Sequence, residues 1–329
     1  MSNKEVMFRE AIRDAQREEM LRDEKVFVIG EDVQDPWRGT YKATDGLSTE
    51  FGKDRVVNTP IAEESLIGLS LGAAMSGLRP VTELMYIEFT TRAMDAVCLQ
   101  VAKIRYMTGG QATVPLVIRT QGGGYLASGA HHGNSLEAWF CHTPGIFVAT
   151  PATPYDAKGL LKTAIRMDDP VFFIEHKALY MTKQEIPEEE YTIPFGVADI
   201  KRKGDDVTIV ANSRMVLLAQ QAAEELQKEG ISVEIVDPRT LVPLDLETIL
   251  ESVKKTNHLV VVNEGVERCG WAAEVVAKVQ KHSFTDLDAA IERVCTRNTV
   301  LPFQPDLEKY VLPSMDDIMK AVKITLGKE

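Results

Sequence analysis

Short, solidly apolar runs alternate along this chain with longer stretches whose apolar residues recur at helical spacing, and few folds accept that pattern. The runs at 26–29, 80–85, 115–120, 146–150 and 171–175 show little polar alternation. A strand with one face in water alternates apolar and polar side chains, whereas a strand covered on both faces need not. Helical stretches separate the runs. One follows Pro60, one spans 86–107 with Met94, Val97, Val101 and Ile104 at helical spacing, and one spans 155–167. The alternation resumes with strands at 207–211, 232–236, 259–262 and 293–296, and helices at 214–228, 246–254, 271–281 and near 315–326. Strand and helix in turn predict an α/β chain built on parallel sheets covered on both faces.

Two such series in 329 residues predict two domains. The break falls in an acidic stretch that holds Pro187, Pro194 and Glu188-Glu189-Glu190. Such a stretch reads as an exposed connection. The expected division is a first domain over 1–183, a linker over 184–200 and a second domain over 201–329. Residues 5–24 read as an amphipathic helix with Phe8, Ile12, Ala15, Met20 and Leu21 on one side. Residues 30–47 are polar and carry Pro36, Gly39 and Gly46, so they read as a loop. Trp37 there is either a lid or a surface anchor.

The net charge of −12 argues against a nucleic-acid or anionic-membrane surface. The longest uncharged helical stretch, 65–78, is too short to span a bilayer. The first 24 residues are charged throughout and lack an apolar core segment, so no secretory signal is expected. Cys98, Cys141, Cys269 and Cys295 form no C-x-x-C pair, which points to structural, reduced thiols and a cytoplasmic location.

The stretch from Val56 to Gly77 has the clearest local logic. Val56-Val57 ends a strand, Asn58-Thr59-Pro60 turns, and a helix of Leu, Ile, Ala, Ser and Gly follows with Glu63 and Glu64 in its first turn. Gly68, Gly72 and Ser76 share one face and permit close approach of another backbone. Each Gly costs about 1 kcal/mol against Ala inside a helix. Two readings of Glu63 stand. One is a carboxylate favoured by the positive end of a helix; the other is a desolvated, proton-handling group, since the helix reads as buried.

No G-x-x-x-x-G-K-[ST] loop and no G-x-G-x-x-G is present. Gly122-Gly123-Gly124 lacks that spacing and reads as a flexible loop that permits close approach. His131-His132 reads as a metal pair in search of a third ligand or as histidines held by local hydrogen bonds.

The run Thr59-Pro60-Ile61-Ala62-Glu63, the glycine-bearing helix behind it and Gly77-Leu78-Arg79-Pro80-Val81-Thr82-Glu83 resemble the beta subunit of the decarboxylating component of 2-oxo acid dehydrogenase complexes, which use thiamine diphosphate. The likeness continues through Arg105-Tyr106-Met107-Thr108-Gly109-Gly110, Pro115-Leu116-Val117-Ile118-Arg119, Pro154-Tyr155-Asp156-Ala157-Lys158-Gly159-Leu160, Asp237-Pro238-Arg239-Thr240-Leu241 and Leu312-Pro313-Ser314. It implies a parallel-sheet pyrimidine-binding thiamine diphosphate fold followed by a transketolase C-terminal-like α/β domain.

By that resemblance Glu63, rather than Glu64, contacts the cofactor's pyrimidine ring nitrogen, and His132 handles the substrate carbonyl, proton transfer and acyl handover. Ile61, Met85 and Phe89 are implied as cofactor-packing residues, with ordinary core packing the competing reading for Met85 and Phe89. A potassium site of backbone carbonyls is implied at Leu116, Ala164, Met167 and Asp169. The family shows His-Ser-Gln-Ser where this chain has His132-Gly133-Asn134-Ser135, which bears on substrate identity. The family's diphosphate–Mg²⁺ motif is absent; Gly204-Asp205-Asp206 is not it. That motif belongs to a separate alpha chain, so the resemblance implies an active site between subunits. It also implies a heterotetramer of two alpha and two beta chains, a beta–beta contact and docking of a lipoyl acyltransferase core. Segments 264–270 and 301–303 resemble the acetoin-cleaving members. The competing readings are a split transketolase-type enzyme moving two-carbon units and a non-catalytic scaffold of the same fold. A dinucleotide-dependent dehydrogenase is disfavoured because its fingerprint is missing.

Overall fold

A computed structural model describes residues 3–328. The chain forms two compact units, one of Met1–Gly122 with Trp139–Phe195, the other of Gly123–Ala138 with Gly196–Glu329.

In the first unit, β1 (Asn3–Met7) leads into α1 (Phe8–Arg22) and β2 (Val26–Gly30). Then come α2 (Leu47–Phe51), β3 (Val56–Asn58), α3 (Glu63–Met75) and β4 (Arg79–Leu84). An irregular helical stretch ends in α4 (Ile104–Met107), and β5 (Val117–Gly122) follows. After the short α5 (Glu137–Cys141) come β6 (Phe147–Ala149), α6 (Pro154–Arg166), β7 (Val171–His176) and β8 (Lys183–Pro187). The parallel strands of this unit lie in the order β6-β7-β5-β4-β2-β3. Strand β2 therefore has its successor β3 on one side and β4 on the other. Such a reversal opens a crevice at the carboxyl ends of the strands.

Strands β1 and β8 pair antiparallel, Asn3 opposite Pro187. The helix expected from residue 5 thus starts at Phe8, and the acidic stretch from Gln184 begins as a strand. Leu21, expected on the apolar side of α1, is exposed, while Gln16 and Glu19 are buried there. Lys158 and Lys162 of α6 tie that helix to Glu18 of α1 at 2.7 and 2.6 Å.

The stretch 86–107 is not one α-helix. It is a 3-10 segment, Ile87–Ala93, then a π-type segment, Ala96–Val101, then α4. At three residues per turn Ile87, Thr90 and Ala93 form one buried row, a spacing that an α-helical reading of Met94, Val97, Val101 and Ile104 misses. Helix α3 also departs from expectation. Leu66, Ile67, Ser70 and Ala74 are buried, whereas Gly68, Leu69, Gly72, Met75 and Ser76 are exposed. The sheet core is not purely apolar either. Arg119 on β5 donates to Glu175 on β7 at 2.6 and 2.8 Å and to Glu83 on β4 at 2.9 Å, all fully enclosed. Tyr180 adds a hydrogen bond to Glu175.

The second unit carries β9 (Asp199–Arg202), β10 (Val207–Ala211), α7 (Arg214–Lys228), β11 (Val233–Asp237), β12 (Thr240–Val242) and α8 (Leu246–Thr256). It continues through β13 (Leu259–Val266), α9 (Trp271–Ser283), β14 (Glu292–Thr296), α10 (Pro305–Val311) and α11 (Met315–Thr325). Its sheet runs β14-β13-β10-β11-β9, parallel except for β9. Side-chain caps fix three helix starts: Asp245 accepts from Thr248 N–H, Gln304 from Leu307 and Ser314 from Asp317. Here too the order reverses, with β10 between β11 and β13.

Candidate active site

The reversal in the first sheet places Glu31 directly after β2, the Thr59-Pro60 turn after β3 and Met85 directly after β4. Thr59 N–H bonds back to Gly30 C=O at 2.9 Å, which holds the turn beside β2. Glu63 is the first residue of α3 and only 4% exposed. Arg92, 74% exposed, brings its Nε to 3.4 Å from the Glu63 carboxylate. An exposed cation gives weak compensation.

Sequence reasoning missed Glu31, which is 6% exposed and has an Oε1 with no hydrogen-bond partner among the described residues. Burial, followed by the charges of Glu63, Asp32 and Glu83, pushes its carboxyl up to about 7. The available signal was an acidic residue at the end of a buried strand, Gly30-Glu31; its importance follows only once β2 is known to sit at the reversal. Burial likewise raises Glu83, opposed by the adjacent Arg119.

Met85 and Phe89 are half-buried. Thr40 Oγ1 contacts the Met85 sulfur, and the Phe89 ring lies 6.4 Å from that of Tyr86. Ile61 is 80% exposed. The structure thus gathers Glu63, Met85 and Phe89 on adjoining elements of one unit, with Ile61 on the turn ahead of α3. The set joins buried carboxyls to accessible apolar surface. Trp37 stands exposed at the surface.

His132 belongs to the second unit, in the segment Gly123–Ala138. It is half-buried and His131 exposed. Gly123 N–H donates to Asn134 C=O at 2.9 Å and Asn134 Nδ2 to Ala130 C=O at 2.8 Å, closing the loop around the histidines. Among the described residues no group of three His, Cys, Asp or Glu side chains is arranged to hold a metal ion. Gly133 sits where a Cβ would lie 2.9 Å from both Gly129 O and Leu301 Cδ1. A side chain at this position would crowd the Gly129 carbonyl and the Leu301 side chain as they stand.

Leu116, Ala164, Met167 and Asp169 lie at the amino ends of β5 and β7, the opposite edge of the sheet from Glu63. Leu116 C=O accepts from Val171 N–H at 2.9 Å and Ala164 C=O from Met167 N–H at 3.2 Å. Arg79 donates to the carbonyls of Ile165 and Met167 and pairs with Asp168, while Arg105 pairs with Asp169.

Residues 4–183 match the family model for the transketolase pyrimidine binding domain, and residues 196–318 that for the transketolase C-terminal domain. The split-gene transketolase solved as an inactive beta4 tetramer superposes with a TM-score of 0.79 at 22% identity, covering 98% of each chain. Fold and domains define a transketolase-type chain, a class that implies dependence on thiamine diphosphate.

Two relatives narrow the class. The pyruvate dehydrogenase E1 component subunit beta of Rickettsia felis is 47% identical over 319 residues, 97% of this chain and 98% of the relative. The acetoin:2,6-dichlorophenolindophenol oxidoreductase subunit beta of Cupriavidus necator is 46% identical over 325 residues, 96% of each. The chain belongs to the family of beta subunits of 2-oxo acid and acetoin dehydrogenases, thiamine-dependent oxidoreductases.

Proposed function

We propose that this chain supplies the pyrimidine half of a thiamine diphosphate site completed by an alpha chain. The assembled enzyme cleaves the C–C bond next to a carbonyl of a 2-oxo acid or acetoin and passes the acyl group to a lipoyl carrier. The observation that carries this reading is the buried Glu63 at the strand-order reversal, beside a second carboxyl, Glu31, and half-buried Met85 and Phe89.

When bound, thiamine diphosphate supplies carbanion stabilisation. Glu63 would hold and exchange a proton at the pyrimidine ring nitrogen; aspartate would be one methylene too short, and a glutamine amide does not release its protons. Burial, followed by the charge of Glu63, disfavours the anion of Glu31. Ile61, Met85 and Phe89 offer the ring an apolar bed and keep water off it. His132 orients the substrate carbonyl or carboxylate and moves a proton there. Glu31 feels the charges of Glu63, Asp32 and Glu83, and Glu64 follows Glu63 in the first turn of α3, so among the described residues carboxyls outnumber Arg92, the cation that faces Glu63. Such a field repels a diphosphate, which supports placing the phosphates and Mg²⁺ on the alpha chain.

The remaining parts of the reading rest on the surface and on donor chemistry. Gly68 and Gly72 of α3 have nothing within 4 Å of a Cβ position, and Ile61, Leu69, Met75 and Leu78 are exposed in the same stretch. This supports a heterotetramer with a beta–beta contact. Exposed Val300, Phe303, Leu307 and Tyr310 on the second unit support a further partner surface, that of a lipoyl acyltransferase core. The carbonyls of Leu116, Ala164, Met167 and Asp169 are hard oxygen donors of the kind potassium takes, and each carbonyl has two lone pairs. We take 1–183 as the pyrimidine-binding domain, 184–200 as the linker and 201–329 as the C-terminal domain. Free cysteines and the acidic charge support a cytoplasmic location; among the described residues no helix is long and apolar enough to cross a membrane.

Mixing tests the proposal. With a matching alpha chain, Mg²⁺, thiamine diphosphate and pyruvate or acetoin, the mixture reduces a dye and neither chain does so alone. Turnover by the lone chain contradicts the shared site. Turnover of sugar phosphates without lipoyl dependence selects the transketolase reading instead.

A further inference from the structure

The reversal in the second sheet also opens at the carboxyl ends of its strands, where an α/β sheet of this kind ordinarily receives a ligand. Here the chain's own segment Gly123–Ala138 lies against it. Asn263, on β13 just past the end of β10, donates to Glu137 at 2.6 Å and also approaches Asn212 Oδ1 at 3.4 Å. Glu264, the next residue, accepts from Gly124 N–H at 2.6 Å and from Ser135 Oγ at 3.0 Å. Glu308 on α10 accepts from Ala127 N–H at 2.9 Å. Both carboxylates are buried, Glu264 at 6% and Glu308 at 3% exposure.

These bonds hold a backbone that would not keep its shape unaided. Tyr125 and Ala127 have φ of +66° and +51°, a region costly for side chains other than glycine and sustained only where surroundings over-determine it. Tyr125 is fixed at its tip by a 2.7 Å hydrogen bond to Pro313 C=O and on its face by the Arg214 guanidinium 4.2 Å from the ring centre. Gly124 meets Leu312 so closely that a Cβ would lie 2.8 Å from Cδ1. The clamps end on backbone amides on one side of His132 and on Ser135 and Glu137 on the other. They define where the loop lies.

We infer that Glu264 and Glu308 are positioning residues for His132, gripping the loop by charge-assisted hydrogen bonds from the amides of Gly124 and Ala127. The inference rests on the role of His132 in the proposed function. It gives the second unit a task in catalysis: its crevice holds a piece of the active site rather than a ligand.

Glu264→Gln and Glu308→Gln keep size and an acceptor oxygen but lose the charge, which about halves the strength of such a bond. Glu264→Leu and Glu308→Leu remove the acceptor. Each variant is assembled as full chain with its alpha partner. Peptide-resolved hydrogen exchange and steady-state kinetics are then read together. We expect exchange over 123–137 to quicken about three-fold in each Gln variant and at least ten-fold in the Gln double variant and in each Leu variant, while β10 and β13 stay unchanged. kcat falls in the same order with the thiamine diphosphate requirement unaltered. If a Leu variant does not fold, the two Gln variants and their double carry the test. Unchanged loop exchange, or acceleration of β10 and β13 equal to that of the loop, overturns the inference. So does a loosened loop with wild-type kcat. A wild-type assembly that is itself inactive on 2-oxo acids and acetoin strikes the proposed function instead, and is read separately.

Discussion

Both units are open sheets whose strand order reverses around one strand, β2 in the first and β10 in the second. The same architecture is put to different use. In the first, the carboxyl ends of the strands present buried carboxyls, Glu31 and Glu63, next to half-exposed apolar side chains. In the second, the equivalent place is taken by the histidine segment, held by Asn263, Glu264 and Glu308. In the proposed function one crevice takes a ligand, while the other is filled by the chain itself. A shared fold therefore says little about which sheet binds; the polar residues at the strand ends decide it.

The sheets differ in their interiors as well, and the largest expected effect lies there. Arg119→Met leaves Glu83 and Glu175 without their cation in a sealed site, a loss of about 3–5 kcal/mol. Chemical denaturation followed by peptide-resolved exchange should show β4, β5 and β7 opening early while β10, β11 and β13 keep their protection. Equal loss in both units would break the comparison. Next, His132→Ala in the assembled enzyme should lower kcat by about 10²- to 10⁴-fold, while denaturation of the lone chain shifts less than in Arg119→Met because the side chain is half-exposed. Retained turnover would return the loop to a scaffold role.

The smallest effect sharpens the picture of the first crevice. The folded-state pKa of Glu31 lies above its unfolded value, raised to about 7 by burial and the charges of Glu63, Asp32 and Glu83. The folded state then binds more protons than the unfolded state between roughly pH 4.5 and 7, so this residue costs stability as pH rises through that window. Glu31→Gln should raise the melting temperature at pH 8 and leave it nearly unchanged at pH 4. A drop at pH 8 would show that the ionised form is stabilised by something in that crevice.

Much of this contrast was legible in the residues. Val207–Ala211 and Arg214–Lys228 form the strand and helix their patterns predict, and Pro60 announces the turn that ends at Glu63. The ribbon of β1 and β8 was not legible, because two short, largely polar strands find each other across most of the first unit. Strand β9 is short and half-exposed at an edge, so it lacks the solid apolar run that marks its neighbours. Arg119 passed as part of an apolar strand because its partners, Glu83 and Glu175, come from strands distant in sequence. Glu31 escaped for a related reason: its burial depends on strand order, which spacing does not encode. The loop around His132 was visible as histidines and glycines, but the carboxylates that grip it lie more than a hundred residues away.

The central claim is that the first crevice works through Glu63. It is tested by turnover of the chain reconstituted with an alpha partner, Mg²⁺ and thiamine diphosphate, comparing wild type with Glu63→Gln at equal cofactor occupancy. We predict a fall in kcat of about 10²- to 10⁴-fold; near wild-type turnover in the variant would contradict the account.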